Sequence, residues 1–329
     1  MKFLIKFLAV ICLTLSFSCS NETPSAVADT DQIKDDFNYL IVNSWGEINK
    51  IGNNTGQITS YSQFDGLTSG TVNLCAVTSN TDKIFLIEYY SGLTKLFIFD
   101  KKTKTTSSRT LVFPNEIVGS EPAISSLTWD DSKKVLYGII VSNINITPVN
   151  NTSYLVKINP NTFDINYSGV SFDQTASIST FLNGNMLYSS LPGQDTYEID
   201  TENNTAKKTL FNNSKFSFIK AAVYLNNTAY CITYKINGYD KTIAKINLTN
   251  NTYEDLLPAE TLVNSDPLGL GYIDKSNNEY IFSTVKEANI EHPIYAILKF
   301  NVTTNTYKFL ELKSDSSINS NFIIVDKIN

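Results

Sequence analysis

The chain has 329 residues, 42% of them hydrophobic and 18% charged, with a net charge of −6 and a single His. That composition supplies apolar material for a sizeable core and excludes a chain disordered throughout. One His rules out a His-rich metal site and leaves little room for a Ser-His-Asp triad, and the negative balance argues against nucleic acid as a partner.

Residues 1–18 read as an export signal, with Lys2 and Lys6 in the positive segment and a mostly apolar run over 7–17. The run is too short for a spanning helix, which needs about 20 apolar residues. Leu15-Ser16-Phe17-Ser18-Cys19 resembles a lipobox, the signal-peptidase II site of bacterial lipoproteins, although Phe17 is bulkier than the usual residue there. The resemblance implies lipidation of Cys19; the alternative is an ordinary secretory signal. Residues 20–36 are polar and aperiodic, so 19–36 is expected to be a lipidated Cys with a flexible tether and 37–329 the folded domain. Ser20 follows Cys19, where an Asp would retain a lipoprotein in the inner membrane. The expected location is therefore the outer membrane or cell surface. Removing 1–18 takes the net charge to −8. Of four Cys, Cys12 leaves with the signal and Cys19 is the proposed anchor. Cys75 and Cys231 remain, each in an apolar run of a different repeat, and are expected as buried free thiols, a disulfide being the alternative in an exported protein.

One pattern then recurs six times, as an apolar strand, a turn and a second short strand. The copies are GEINKIGNNTGQITSY (46–61), KLFIFDKKTKTTSS (95–108), YLVKINPNTFDINYS (154–168), TYEIDTENNTAKKTL (196–210), TIAKINLTNNTYEDL (242–256) and AILKFNVTTNTYKFL (296–310). The turn-opening residues Gly52, Asp100, Asn159, Asp200, Asn247 and Asn301 recur about every 50 residues, within the range of propeller repeats. Asp or Asn there accepts a hydrogen bond from the backbone two residues on, which gives the 37 Asn a structural use. Alternation over 154–159 predicts a half-buried strand. Two further strands precede the hairpins, such as 123–129 with 135–142, 219–225 with 228–234, and 268–274 with 279–285.

Four antiparallel strands per unit and no convincing amphipathic helix predict an all-β chain, a six-bladed β-propeller of four-stranded blades. The first hairpin is preceded by one strand only, 37–44, while 318–328 is a spare strand at the C-terminus. The spare strand is expected to complete the first blade and close the ring. The motif Tyr/Ile/Phe-x-Ile-Asp/Asn-x-x-Thr resembles the TolB-like and YVTN-type propeller repeats over about residues 37–329, which implies the fold and little else. Trp-Asp occurs once, at Trp129-Asp130, and no Gly-Gly pair occurs, so WD40 and Kelch repeats are absent.

On one face of such a ring, loops joining second to third strands gather Trp45, Tyr89, Tyr90, Tyr234, Tyr239 and His292. The five aromatics suit stacking against a sugar ring or a peptide, or packing against a neighbouring blade. Connections into the innermost strands carry Glu121, Asp173, Lys215, Asp266 and Asp315. A channel Ca²⁺ held by acids such as Glu121, Asp173 and Asp266, as in lactonases of the gluconolactonase group, is the enzymatic alternative. His292 lies in a polar loop without a second His, and no GxSxG, P-loop, GxGxxG or CxxC is present. The expectation is a binding module without a cofactor. Its partner would be a glycan, a peptide or an envelope protein, and it would meet the membrane through the lipid alone.

Overall fold

The apolar runs of the repeat form antiparallel ladders, each ended by a turn that the same few polar residues close. The computed structural model describes residues 33–68, 72–117, 121–141, 152–174, 179–191, 196–209, 216–235, 241–250, 252–258, 262, 266–267, 270–287, 293–313 and 321–329. Its larger unit runs from Asp35 to Asn329. The first blade holds β1 (Asn38–Asn43), β2 (Glu47–Gly52) and β3 (Ile58–Gln63). The second holds β4 (Val77–Ser79), β5 (Lys83–Tyr90), β6 (Leu93–Asp100) and β7 (Thr105–Thr110). The third holds β8 (Ala123–Asp130), β9 (Val135–Val141), β10 (Thr152–Ile158) and β11 (Ile165–Asp173). The fourth holds β12 (Ser179–Asn183), β13 (Met186–Ser190), β14 (Tyr197–Asp200) and β15 (Thr205–Lys208). The fifth holds β16 (Phe216–Leu225), β17 (Thr228–Lys235), β18 (Lys241–Asn247) and β19 (Thr252–Asp255). The sixth holds β20 (Asp266–Pro267), β21 (Tyr272–Asp274), β22 (Glu279–Glu287), β23 (Ile294–Asn301) and β24 (Thr306–Glu311).

The last strand, β25 (Phe322–Ile328), pairs antiparallel with β1 from Asn43↔Phe322 to Asn38↔Ile328. It makes the first blade β25-β1-β2-β3, as the spare C-terminal strand predicts. Each innermost strand touches the next, from β25 to β4, β8, β12, β16, β21 and back to β25. The protein is a six-bladed β-propeller.

Six clusters of buried residues, one per seam between blades, form the core. Tyr39 and Ile41 face the sixth blade, while Leu40 and Val42 face the second. Successive strand side chains point to opposite faces, so a middle strand buries both. This corrects the half-buried reading of 154–159: Tyr154 and Val156 pack toward the second blade and Leu155 toward the fourth. Lys157 has its ammonium on the Thr201 carbonyl of the next blade, at 3.0 Å. Lys299, two residues before its turn as Lys157 is, donates to the Asn53 carbonyl at 3.0 Å across the sixth–first seam. Between the first two blades the Tyr61 hydroxyl reaches the corresponding carbonyl, of Lys101, at 3.0 Å.

The turns share one geometry. Asp100, Asn159, Asp200, Asn247 and Asn301 each accept, on the side-chain oxygen, the amides of the residues two and three positions on. Asp130 and Asp274 do the same between first and second strands. The residue four positions on adopts the left-handed conformation at Lys104, Phe163, Asn204, Asn305, Lys134 and Asn278. An Asx-closed turn followed by a left-handed residue connects the strands with the right twist.

The sixth blade departs from the expected single strand over 268–274. Its inner edge pairs with β22 at 266–267 and again at 272–274. Between them Gly271 lies so close to the fifth blade that a Cβ there would sit 2.2 Å from the Ala221 carbonyl oxygen. Ala221 itself is in the left-handed region, at φ +54°, within a bulge of β16.

Candidate functional site

The two rims of the ring differ. The turns opened by Asp100, Asn159, Asp200, Asn247, Asn301, Asp130 and Asp274 lie on one, the hairpin face. The other, the loop face, carries the connections into the innermost strands and those between second and third strands.

On the loop face two tight turns hold aromatic side chains in solvent. Asn43, itself buried, accepts the Trp45 and Glu47 amides on its side-chain oxygen, each at 3.0 Å, and donates to the Glu47 carboxylate at 2.7 Å. Gly46 completes that turn at φ +75°. Trp45 is thus presented by a stiff turn, 53% exposed. The β5–β6 turn has positive φ at both central residues, Ser91 and Gly92, the twist that suits a two-residue hairpin. It places Tyr90 opposite Leu93, both about half exposed. The 64–68 segment and residue 72 link the two turns. Phe64 donates to the Gly46 carbonyl at 3.2 Å, Val72 to the Ser44 carbonyl at 2.8 Å, and Thr68 to the Glu88 carboxylate at 2.5 Å. The Leu111 amide bonds the Thr94 carbonyl, which brings the exposed Val112 beside the same turn.

Trp45 on the first blade and Tyr90, Leu93 and Val112 on the second are therefore exposed apolar residues of the loop face. Sequence reasoning singled out Trp45, Tyr89 and Tyr90 and missed Leu93 and Val112. The Tyr-Ser-Gly-Leu turn was the available signal for Leu93, since residues flanking a two-residue turn must face each other. Tyr89 points the other way, toward the third blade, where its hydroxyl meets the Glu121 carboxylate at 3.3 Å. Burial first and the Glu121 charge second raise the Tyr89 hydroxyl above its ordinary value.

The remaining sequence candidates lie elsewhere. Tyr234 packs, partly buried, on the seam between the fifth and sixth blades, with the Lys241 ammonium 5.9 Å from its ring. Asp173 ends the outer strand β11, and its carbonyl accepts the Tyr197 hydroxyl at 3.0 Å. Asp266 opens β20, but its side chain lies outside the described residues, as do Cys19, Lys215, Tyr239, His292 and Asp315. Among the described residues no three His, Cys, Asp or Glu side chains converge as metal ligands do. No disulfide joins Cys75 and Cys231, as expected; Cys231 is buried as expected, whereas Cys75 is only half-buried.

A channel of about 350 Å³ runs between the innermost strands. Thr78, Thr128, Thr180, Ala222, Gly271 and Ile324 each contribute to its wall from a different blade. The Thr128 hydroxyl donates to the Thr180 hydroxyl at 2.8 Å, and the Trp129 amide donates to the Thr78 hydroxyl at 3.3 Å. Lys275 is the one charged residue among the described residues of its wall. The described part of the lining offers hydroxyls and apolar surface.

No family model matches the chain, and no curated protein matches it. Solved structures do. TolB from Acinetobacter baumannii superposes with a TM-score of 0.53 at 10% identity, over 84% of this chain and 64% of that one. The chain thus spans a little under two thirds of that protein. Oligogalacturonate lyase from Vibrio parahaemolyticus superposes with a TM-score of 0.53 at 12% identity, over 86% of this chain and 82% of that one. At such identities the likeness is one of fold, and it agrees with the TolB-like repeat pattern.

Proposed function

We propose that the protein is an exported, lipid-anchored propeller that binds a partner on the loop face of its first two blades and catalyses no reaction. One observation carries this reading: Trp45, Tyr90, Leu93 and Val112 are held out in solvent by turns that a buried Asn43 and two left-handed residues stiffen. Aromatic anchors on rigid turns lose little entropy on binding. Aliphatic Leu93 and Val112 on the same blade as Tyr90 favour an apolar peptide segment of an envelope protein over a glycan, which would require more hydrogen-bonding groups.

The site test uses peptide and glycan arrays probed with the parent and with Trp45→Ala and Tyr90→Ala. Both residues are exposed, so the variants keep the parent melting temperature while losing peptide signal by about tenfold or more. Glycan signal, or retention by both variants, overturns the reading. The anchor has a separate test. Cys19→Ser releases the protein from membranes, and continued attachment refutes the anchor.

A second reading is a channel-metal hydrolase of the lactonase type. Its support is the fold shared with a lyase and the Glu121 carboxylate on the loop face. Stoichiometric Ca²⁺ in the purified protein together with lactone turnover would establish it in place of the binding module.

A further inference from the structure

Five described outer hairpins open with an Asp or Asn that captures the amides two and three residues on. The first-blade hairpin opens with Gly52, which has no side chain to do so. Its two amides are nevertheless captured. Asn54 and Thr55 donate to Asp35 Oδ1 at 2.7 and 2.8 Å, and the Thr55 hydroxyl donates to Oδ2 at 2.7 Å. Asp35 lies 17 residues earlier in the chain, in the polar stretch before the first strand. A Cβ on Gly52 would sit 2.1 Å from Asp35 Oδ2 and 2.4 Å from its Cγ. Gly52 is not among the glycines in the left-handed region. Its backbone does not require glycine; the space it leaves is what the Asp35 carboxylate fills.

We infer that the Gly52 hairpin is a carboxylate-binding site whose ligand is this chain's own Asp35, and that residues 35–37 thereby form a strap across the seam where the ring closes. The neighbouring contacts support the strap. Asn53 accepts the Asp36 and Phe37 amides at 2.9 and 3.3 Å and returns its own amide to the Phe37 carbonyl at 3.1 Å. The Asn54 side chain donates to the Asp36 carboxylate at 3.1 Å. The Phe37 ring receives two ammonium groups: Lys327 of β25, in the same blade, at 3.9 Å, and Lys299 across the seam in the sixth blade at 5.9 Å. Lys299 is almost fully buried, and its direct bond is to the carbonyl of Asn53, inside the hairpin that Asp35 closes. Burial raises the Asp35 carboxyl, but the Thr55 hydroxyl, the two amides and the Lys299 charge outweigh it, so the group stays ionised below the ordinary Asp range.

The test uses the mature full-length chain and four variants. In Asp35→Ala, amide exchange at Asn54 and Thr55 accelerates by about tenfold or more, the loss of one charge-assisted hydrogen bond. Asp35→Asn stays near the parent, because Asn serves the same role at Asn159, Asn247 and Asn301. Asp35→Ala with Gly52→Asp regains protection, since the turn residue is now in place. Gly52→Asp alone keeps the two amides protected but expels Asp35, so trypsin cuts after Lys34 about tenfold faster than in the parent, with the cleavage site itself unchanged. The inference is overturned if Asp35→Ala leaves exchange at Asn54 and Thr55 at the parent rate. It is equally overturned if Gly52→Asp leaves cleavage after Lys34 unaltered.

Discussion

Deleting residues 322–329 removes β25, the innermost strand of the first blade. Phe322, Ile323, Ile324 and Val325 are 1%, 6%, 4% and 7% exposed. Burying such a side chain contributes about 1.5–3 kcal/mol, so these four together contribute about 6–12 kcal/mol. The deletion also breaks the ladder to β1 and the ion pairs Asp326–Lys101 and Lys327–Asp274. Net domain stability is about 5–15 kcal/mol, so the loss is comparable with the whole. The truncated chain is expected to be largely unfolded at 25 °C by far-ultraviolet circular dichroism and in urea titration. Adding a synthetic peptide of residues 321–329 restores structure in a concentration-dependent way, because a ligand of the folded state stabilises by mass action. Phe322→Ala, a milder change, costs about 3–5 kcal/mol. A truncated chain melting within about 2 °C of the parent, a difference worth about 1 kcal/mol, would show that the ring does not depend on this strand.

Asp274, buried, accepts the Ser276 amide and hydroxyl at 3.1 and 2.6 Å, the Asn277 side-chain amide at 2.9 Å and the Lys327 ammonium at 3.0 Å. Burial raises its carboxyl, but these donors outweigh it and leave the group below the ordinary Asp value of 3.8. Its stabilisation is complete above 3.8 and lost as the pH falls through the lower folded-state value. Asp274→Asn loses about 1–3 kcal/mol at neutral pH and weakens the pH dependence of urea midpoints below about pH 4; an unchanged acid slope would assign it to other groups. Gly271→Ala drives a methyl into the Ala221 carbonyl and the Val223 side chain, at 2.2 and 2.9 Å, and costs about 1–3 kcal/mol; thermal melting reads the shift, and an unshifted melt refutes the close approach. Burial raises the Cys75 thiol to about 11 and the Cys231 thiol further. Both should alkylate slowly with iodoacetamide near pH 7.5 and fully in urea without a reductant, about as exposed thiols do; dependence on reductant would mean a disulfide.

The fold was legible in the sequence because its unit repeats and its ends complement each other. Asp100, Asn159, Asp200, Asn247 and Asn301 mark five turns by a local mechanism, a side chain bonding its own backbone, which is visible without tertiary information. The closure of β1 by β25 was legible from strand counting. What misled was burial. Period-two alternation over 154–159 suggests a strand with one wet face, yet both faces of a middle strand pack on neighbouring blades, and the Lys157 stem lies along the seam with its charge on a carbonyl. The split inner strand of the sixth blade was equally hidden, because it follows from the distance between Gly271 and a carbonyl of another blade.

The site was half legible for the same reason. Trp45 and Tyr90 stand beside turn residues, and turns lie on the surface, so their exposure follows from neighbours in the chain. Tyr234 has the same kind of neighbours and is nevertheless seam packing. Leu93 and Val112 carry no local mark of exposure in the sequence, because an apolar residue next to a strand usually joins the core. Tyr89 and Glu121 meet across two blades, 32 residues apart, and no local rule pairs them. Asp35 is the sharpest case. In a polar stretch it looks like solvated tether, and at Gly52 the repeat looks merely imperfect. Taken together the two irregularities explain each other. A repeat that lacks its turn residue at the seam of a closed ring has that residue supplied from the segment leading into the ring.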